Sequence, residues 1–253
     1  MKTRIITALA IIACVLPPLI FGGWLLNLLV AFIIIEGGLE FLNLRKQMPF
    51  YFKVIAILAV FMMLFVKNEW LIGFMGVSAL LMLSIPVFDK NVHSEDVFIA
   101  ITYYALFIAV AKAFLSVHAA NQMFVWFVIF ATYLTDTGAY FSGFLFGKHK
   151  LNERISPKKT WEGSIGGWLC GTIISSAVAM FILPDVSLAK IVLIAAILCV
   201  GGQLGDLLFS SLKRDFDIKD YSNLFPGHGG VLDRVDSLLF NFVAFYLLML
   251  VLL

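Results

Sequence analysis

Two stretches, GQLGDLLFSSLKR at residues 202–214 and FPGHGGVLDRVDS at 225–237, crowd acids, bases and glycines into a chain that is otherwise strongly apolar. On a helix, Asp206, Ser210, Lys213 and Arg214 lie near one face, at spacings of four, three and one. The carboxylate then sits about two turns deeper than the basic pair. A buried acid beneath a basic rim can hold a cation that in turn holds an anion. It can equally be a salt bridge stapling two helices. In the second stretch, Gly227, Gly229 and Gly230 permit backbone conformations closed to other residues and let a ligand approach the main chain. Asp233 and Asp236 share a face if a helix begins there. Two acids in a first helical turn are ordinary partners of the helix dipole. That role leaves a third acid, Asp206, unexplained, along with Lys213, Arg214, Lys219, His228 and Arg234. Three carboxylates crowded at a membrane edge repel one another unless a metal neutralises them. Ligation by oxygen alone favours Mg²⁺ or Ca²⁺ over zinc or copper, and Mg²⁺ keeps water and recruits substrate phosphates.

A third constellation precedes these two. Asp136, in Thr135-Asp-Thr-Gly-Ala-Tyr140, falls deep in an apolar segment, where an ionisable group is costly unless it faces protein, water or a cation. A site residue and a structural hydrogen bond to a neighbouring helix both fit. Further on, Ser156-Pro-Lys-Lys-Thr160 is expected to end a loop and start a helix, since Pro157 cannot sit in a helix interior. Lys158 and Lys159 beside a helix start suit a phosphate. They also suit plain anchoring to anionic lipid headgroups.

The elements that must position these residues are hydrophobic. Of 253 residues 62% are hydrophobic and 13% charged, roughly half the charge of a soluble domain. Apolar runs of about 20 residues recur throughout, so the expected fold is all-α and polytopic. A membrane barrel would alternate polar and apolar residues, and 191–200 and 242–253 do not. Hydropathy divides the chain into about nine spans, at 5–20, 22–42, 50–66, 69–88, 97–117, 121–146, 161–183, 187–212 and 236–253. The first two could form one tight hairpin around Pro17-Pro18. With a cytoplasmic N-terminus, 15 of the 18 Lys and Arg fall on the inner side, which supports that orientation. No repeat or hydrophilic linker divides the chain, so one domain is expected, with helices of 1–125 as scaffold and 126–253 carrying the site. The N-terminal segment reads as a retained helix rather than a cleaved signal. Cys14, Cys170 and Cys199 read as small core residues without disulfide or zinc. Glu36, Glu40 and Lys112 fall in or near spans away from the motifs; structural pairing or a place along a lipid path is expected of them. From the residues alone, the site is intramembrane, opens to the cytoplasm and handles a phosphate with Mg²⁺. Kinase, phosphatase and nucleotidyltransferase all remain open.

Ser210, Leu212-Lys-Arg214, Lys219-Asp220, Ser222, Phe225-Pro226, His228-Gly-Gly-Val231 and Asp233-Arg-Val-Asp236 together resemble the signature of the phosphatidate cytidylyltransferase (CDP-diacylglycerol synthase) family, without departure from 210 to 236. Asp136-Thr-Gly138 and Ser156-Pro-Lys-Lys-Thr-Trp-Glu-Gly163 resemble the family as well. The resemblance implies that CTP and phosphatidic acid give CDP-diacylglycerol and pyrophosphate. It also implies a homodimer in the bacterial inner membrane with a funnel facing the cytoplasm, and no nucleic-acid partner. On this reading Asp206, Asp233 and Asp236 hold one or two cations, at least one of them Mg²⁺, with K⁺ a candidate second ion. Lys213, Arg214, Lys219 and Arg234 neutralise phosphates, while Lys158 and Lys159 contact a phosphate at the rim beside Ser156. Gly229 and Gly230 bring backbone close to CTP, Ser210 or Ser211 orients a phosphate or water, and His228 binds phosphate or transfers a proton. Asp136 completes the substrate-binding set. Two other readings are a CTP-dependent polyprenol or phytol kinase and a transporter of a phosphorylated metabolite. The second fits less well, because transporters often carry broken helices in both halves and here the polar residues gather in one.

Overall fold

In a bilayer each backbone N–H and C=O must be satisfied within its own segment, which leaves helix as the default for runs this apolar. The computed structural model describes residues 2–253, with side chains from Ile5 onward. The inner-side assignment of the Lys2 and Arg4 side chains therefore lies outside what is described. Among the described residues, seven helices are long and apolar enough to cross a membrane. The first, Gly23–Leu42, comprises α2 (Gly23–Phe32), a wide π turn (Ile33–Gly37) and α3 (Gly38–Leu42). The others are α5 (Asn68–Phe88), α6 (Ser94–Ala120), α7 (Gln122–Phe146), α8 (Trp161–Ile182), α9 (Leu188–Asp215) and α10 (Leu232–Leu252). Two further apolar helices, α1 (Lys2–Phe21) and α4 (Phe50–Phe65), complete the series in the order that hydropathy predicts. The chain is an all-α multi-pass membrane protein.

Local departures from expectation have plain causes. Pro17 and Pro18 lie inside α1, and the chain breaks instead at Gly22 and Gly23, with φ of 62° and 58°. Two consecutive positive φ angles suit glycine far better than any other residue. Ser156–Thr160 forms strand β2, paired antiparallel with β1 (Lys150–Asn152), where a loop was expected. Thr160 then starts α8 by accepting the Gly163 N–H on its hydroxyl at 3.1 Å.

The chain falls into two compact units. The first holds residues up to Lys112 together with Asp220–Arg234. Its core includes the rings of Phe41, Tyr103 and Phe107, with Tyr103 and Phe107 centroids 4.5 Å apart. Tyr103 donates its hydroxyl to the Ile34 carbonyl in the π turn at 3.0 Å. Gly38 makes room for that hydroxyl, since a Cβ there would lie 2.5 Å from it. Lys112 bonds the carbonyls of Leu64 and Val66 at 3.1 and 2.9 Å, capping the end of α4, which is a structural role.

The second unit holds Ala113–Lys219 and Val235–Leu253. Lipid tails are as apolar as leucine, so membrane helices associate through close packing, which small residues allow. Gly163, Gly167 and Gly171 are spaced by four along α8 and meet Thr135, Ala139 and Gly143, spaced by four along α7. A Cβ on Gly167 would lie 2.6 Å from the Ala139 Cβ and 2.7 Å from the Thr135 carbonyl oxygen. Buried Asn241 of α10 donates to Thr132 of α7 at 2.8 Å. Gly201 on α9 leaves it space, because a Cβ there would lie 2.7 Å from the Asn241 Oδ1. These seams hold Asp136, one residue after Thr135, and Asp206, one after Gly205, at fixed depths.

Gly167→Ala overpacks backbone against backbone and should cost about 1–3 kcal/mol. Gly73 and Gly76 on α5 have nothing within 4 Å of a would-be Cβ, so alanine there should match or exceed wild type by up to about 1 kcal/mol. Thermal unfolding of the three variants in one detergent checks the contrast; equal melting temperatures for all would remove the seam's importance.

Candidate active site

In the second unit, the hairpin and the end of α9 lie against each other. Arg154 pairs with Asp215 at 3.0 Å, and Arg214 donates to the carbonyls of Ile155 and Ile218 at 3.4 and 2.9 Å. The basic residues of 147–160 and those of 213–219 thus share one end of the unit. Side chains alternate along a strand, and Lys158 is exposed whereas Lys159 turns to α9. The Lys159 ammonium meets Asp206 Oδ2 at 2.5 Å, and Ser210 donates to Asp206 Oδ1 at 3.1 Å. Asp136 is exposed and lies within electrostatic range of Asp206, Lys159 and Asp236. Lys213 is 8% exposed, Ser156, Ser210 and Ser211 are half-buried, and Lys219 is exposed. Asp217, at φ 54°, closes α9 with a left-handed residue, so that the Ile218 N–H returns to the Lys213 carbonyl at 2.8 Å.

The structure therefore pairs Asp206 with Lys159 and sets Asp136 within electrostatic range of Asp206, Lys159 and Asp236 in the second unit. This donor set consists of hard oxygens with excess negative charge, and it fits a hard divalent cation. Among the described residues, no three Asp, Glu, His or Cys side chains stand close enough to form a ready metal site. Lys159 is the cation paired with Asp206.

In the first unit, residues 220–234 form a tight turn entering α10. Phe225 and Gly229 bond each other across it, with Gly227 and Gly229 at φ 78° and 84°. The N–H groups of His228 and Gly229 go to the Phe225 carbonyl. Asp233, 8% exposed, accepts the N–H groups of Tyr221 and Gly230 on Oδ2, each at 2.9 Å. The amides at 228–230 are thus engaged within the turn. The His228 Nδ1 is buried with no hydrogen-bond partner among the described residues. Arg234 is exposed.

One residue of this unit escaped the motif reading. Glu40, 4% exposed, accepts from the Ser222 hydroxyl at 2.6 Å and from the Val231 and Leu232 N–H groups at 2.9 and 2.8 Å. Its one available signal was an acid inside an apolar span, 182 residues or more before its partners. The motif itself divides between the units, with residues 210–219 and 235–236 in the second and 220–234 in the first.

A family model described as the cytidylyltransferase family matches residues 2–252 of the chain. The phosphatidate cytidylyltransferase of Staphylococcus haemolyticus is 35% identical over 252 residues, covering 95% of each chain. That of Staphylococcus saprophyticus is 36% identical over 253 residues, again with 95% of each covered. The Staphylococcus aureus protein of the same name is 31% identical over 250 residues, at the same coverage. The match runs through both units and through every motif described above, and the chain belongs to the cytidylyltransferase family.

Proposed function

We propose that the protein is a phosphatidate cytidylyltransferase, which joins CTP and phosphatidic acid to give CDP-diacylglycerol and pyrophosphate. The observation that carries this reading is the Lys159–Asp206 pair, with Asp136 in electrostatic range of it and of Asp236, beside a basic hairpin at one end of the second unit. An oxygen of the phosphatidate phosphate attacks the α-phosphorus of CTP. The new P–O–P bond forms as the α–β bond breaks, and pyrophosphate leaves. The attacking group is already anionic, so no strong base is required. Positioning and charge neutralisation supply most of the rate, as in phosphoryl transfer generally.

Enzymes of this family generally need a divalent cation. The proposed ligands here are Asp206 and Asp236, with Asp233 one turn earlier on α10. Mg²⁺ is the proposed ion, with K⁺ as the candidate second cation; bound, it would neutralise phosphate charge. Lys159 leaves Asp206 for a phosphate, and Lys158 meets another at the rim, with Ser156 alongside. Lys213, Arg214, Lys219 and Arg234 offset the charge of CTP, phosphatidate and departing pyrophosphate. Ser210 and Ser211 orient a phosphate or water. His228 offers its unpaired Nδ1 to a phosphate oxygen. Gly229 and Gly230 keep the turn slim enough for the nucleotide to approach.

The basic residues concentrated beside the site support a cytoplasmic opening, and the bacterial inner membrane rests on the family resemblance. The homodimer belongs to the same proposal and rests on the family resemblance.

Purified protein given CTP labelled in the base, phosphatidate and Mg²⁺ should place the label in lipid and release equimolar pyrophosphate. Label retained in CDP, with phosphate gained by a lipid alcohol, would replace this reading with a lipid kinase. Asp236→Asn should cut turnover by about 10²–10³-fold and raise the Mg²⁺ concentration for half-maximal rate. Turnover within a few-fold of wild type, at unchanged Mg²⁺ dependence, would remove Asp236 from the ligand set.

A further inference from the structure

We infer that Glu40 is a positioning residue of the site: its carboxylate caps the start of α10 from another crossing and so fixes the turn that carries His228 and Asp233. A helix N-terminus leaves its first N–H groups without intrahelical partners, and a Ser, Thr, Asp or Asn just before the helix usually satisfies one of them. The residue before α10 is Val231, which has no side-chain acceptor. Glu40 takes that place from a segment 192 residues earlier than Leu232. One oxygen accepts from Val231 N–H and the Ser222 hydroxyl, the other from Leu232 N–H. Its negative charge also faces the positive end of the helix dipole.

Asp233 extends the pattern. Its Oδ2 accepts the Gly230 N–H, so the consecutive amides 230, 231 and 232 are all held by two carboxylates. Both acids are nearly fully buried, at 4% and 8% exposure. The backbone around Glu40 is fitted to this contact. A Cβ on Gly230 would fall on the Glu40 carboxylate, 2.6 Å from its Cδ, and a Cβ on Gly37 would press on Phe107 and Leu232. The π turn at Ile33–Gly37 directly precedes this segment. Each extra residue in a helical turn rotates the following face by about 100°, which bears directly on where residue 40 points. Glutamine is the informative replacement. It keeps the size and one acceptor, but sets an NH₂ donor against one of the two N–H donors.

The inference rests on the proposed cytidylyl transfer for its kinetic arm, and a second readout is independent of any reaction. In full-length protein, Glu40→Gln should raise amide hydrogen exchange in peptides covering 220–234 by about tenfold or more, with the other helices unchanged. It should also lower kcat about tenfold or more and raise the half-saturating Mg²⁺ concentration, while the melting temperature stays within a few degrees. Ser222→Ala, which removes one donor, should move exchange and kcat the same way by a smaller factor. Unchanged exchange in Glu40→Gln would overturn the inference. So would activity lost only in proportion to unfolded protein, with wild-type KM and Mg²⁺ dependence in the folded fraction. If wild-type protein makes no liponucleotide, the functional reading fails, and the exchange measurement still decides the role of Glu40.

Discussion

Inside a membrane no water stands ready to bond a stray amide, and the architecture follows from answering each one within the chain. Most amides are answered by helix. At the 220–234 turn, where the chain leaves helix, buried carboxylates take over. Asp233 bonds Tyr221 and Gly230, and Glu40 bonds Val231 and Leu232. A side chain that is expensive to bury becomes affordable because several donors converge on it.

The second unit meets a different constraint, since lipid gives helices no hydrophobic reason to associate. Its answer is close approach of small residues, with Gly163, Gly167 and Gly171 against Thr135, Ala139 and Gly143. The polar groups that matter lie immediately beside such contacts. Asp136 follows Thr135, and Asp206 follows Gly205, where a Cβ would lie 2.9 Å from the Phe240 Cβ. Backbone packed this tightly has little freedom to slide, so depth along each helix is transmitted to the charged side chains. The Lys159–Asp206 pair and the Arg154–Asp215 pair then tie the hairpin to α9.

Much of this was legible in the sequence, for physical reasons. Long apolar runs can do little but cross a membrane as helices, so hydropathy alone placed the spans in order. The basic residues Lys158, Lys159, Lys213 and Arg214 stood out by contrast, and the structure joins 147–160 to the end of α9. Other features were not legible. A prolyl pair drew the first bend to Pro17-Pro18, because proline signals a break more loudly than two glycines do. The hairpin strand Ser156–Thr160 was masked by its lysines and proline, which carry no strand pattern. The Gly163–Gly167–Gly171 spacing was readable in principle, yet its meaning depended on knowing which helix lay opposite. Glu40 was the least legible, since a lone acid in an apolar run says nothing about which distant amides it will meet.

Gly230 and Glu40 are 190 positions apart in the chain, yet the missing methyl of one is the space filled by the other. Over evolutionary time, two sites locked in this way cannot drift separately. A bulkier residue at 230 becomes tolerable only where the acid at 40 has already shortened or withdrawn, so epistasis between them should surface as paired change or as joint invariance.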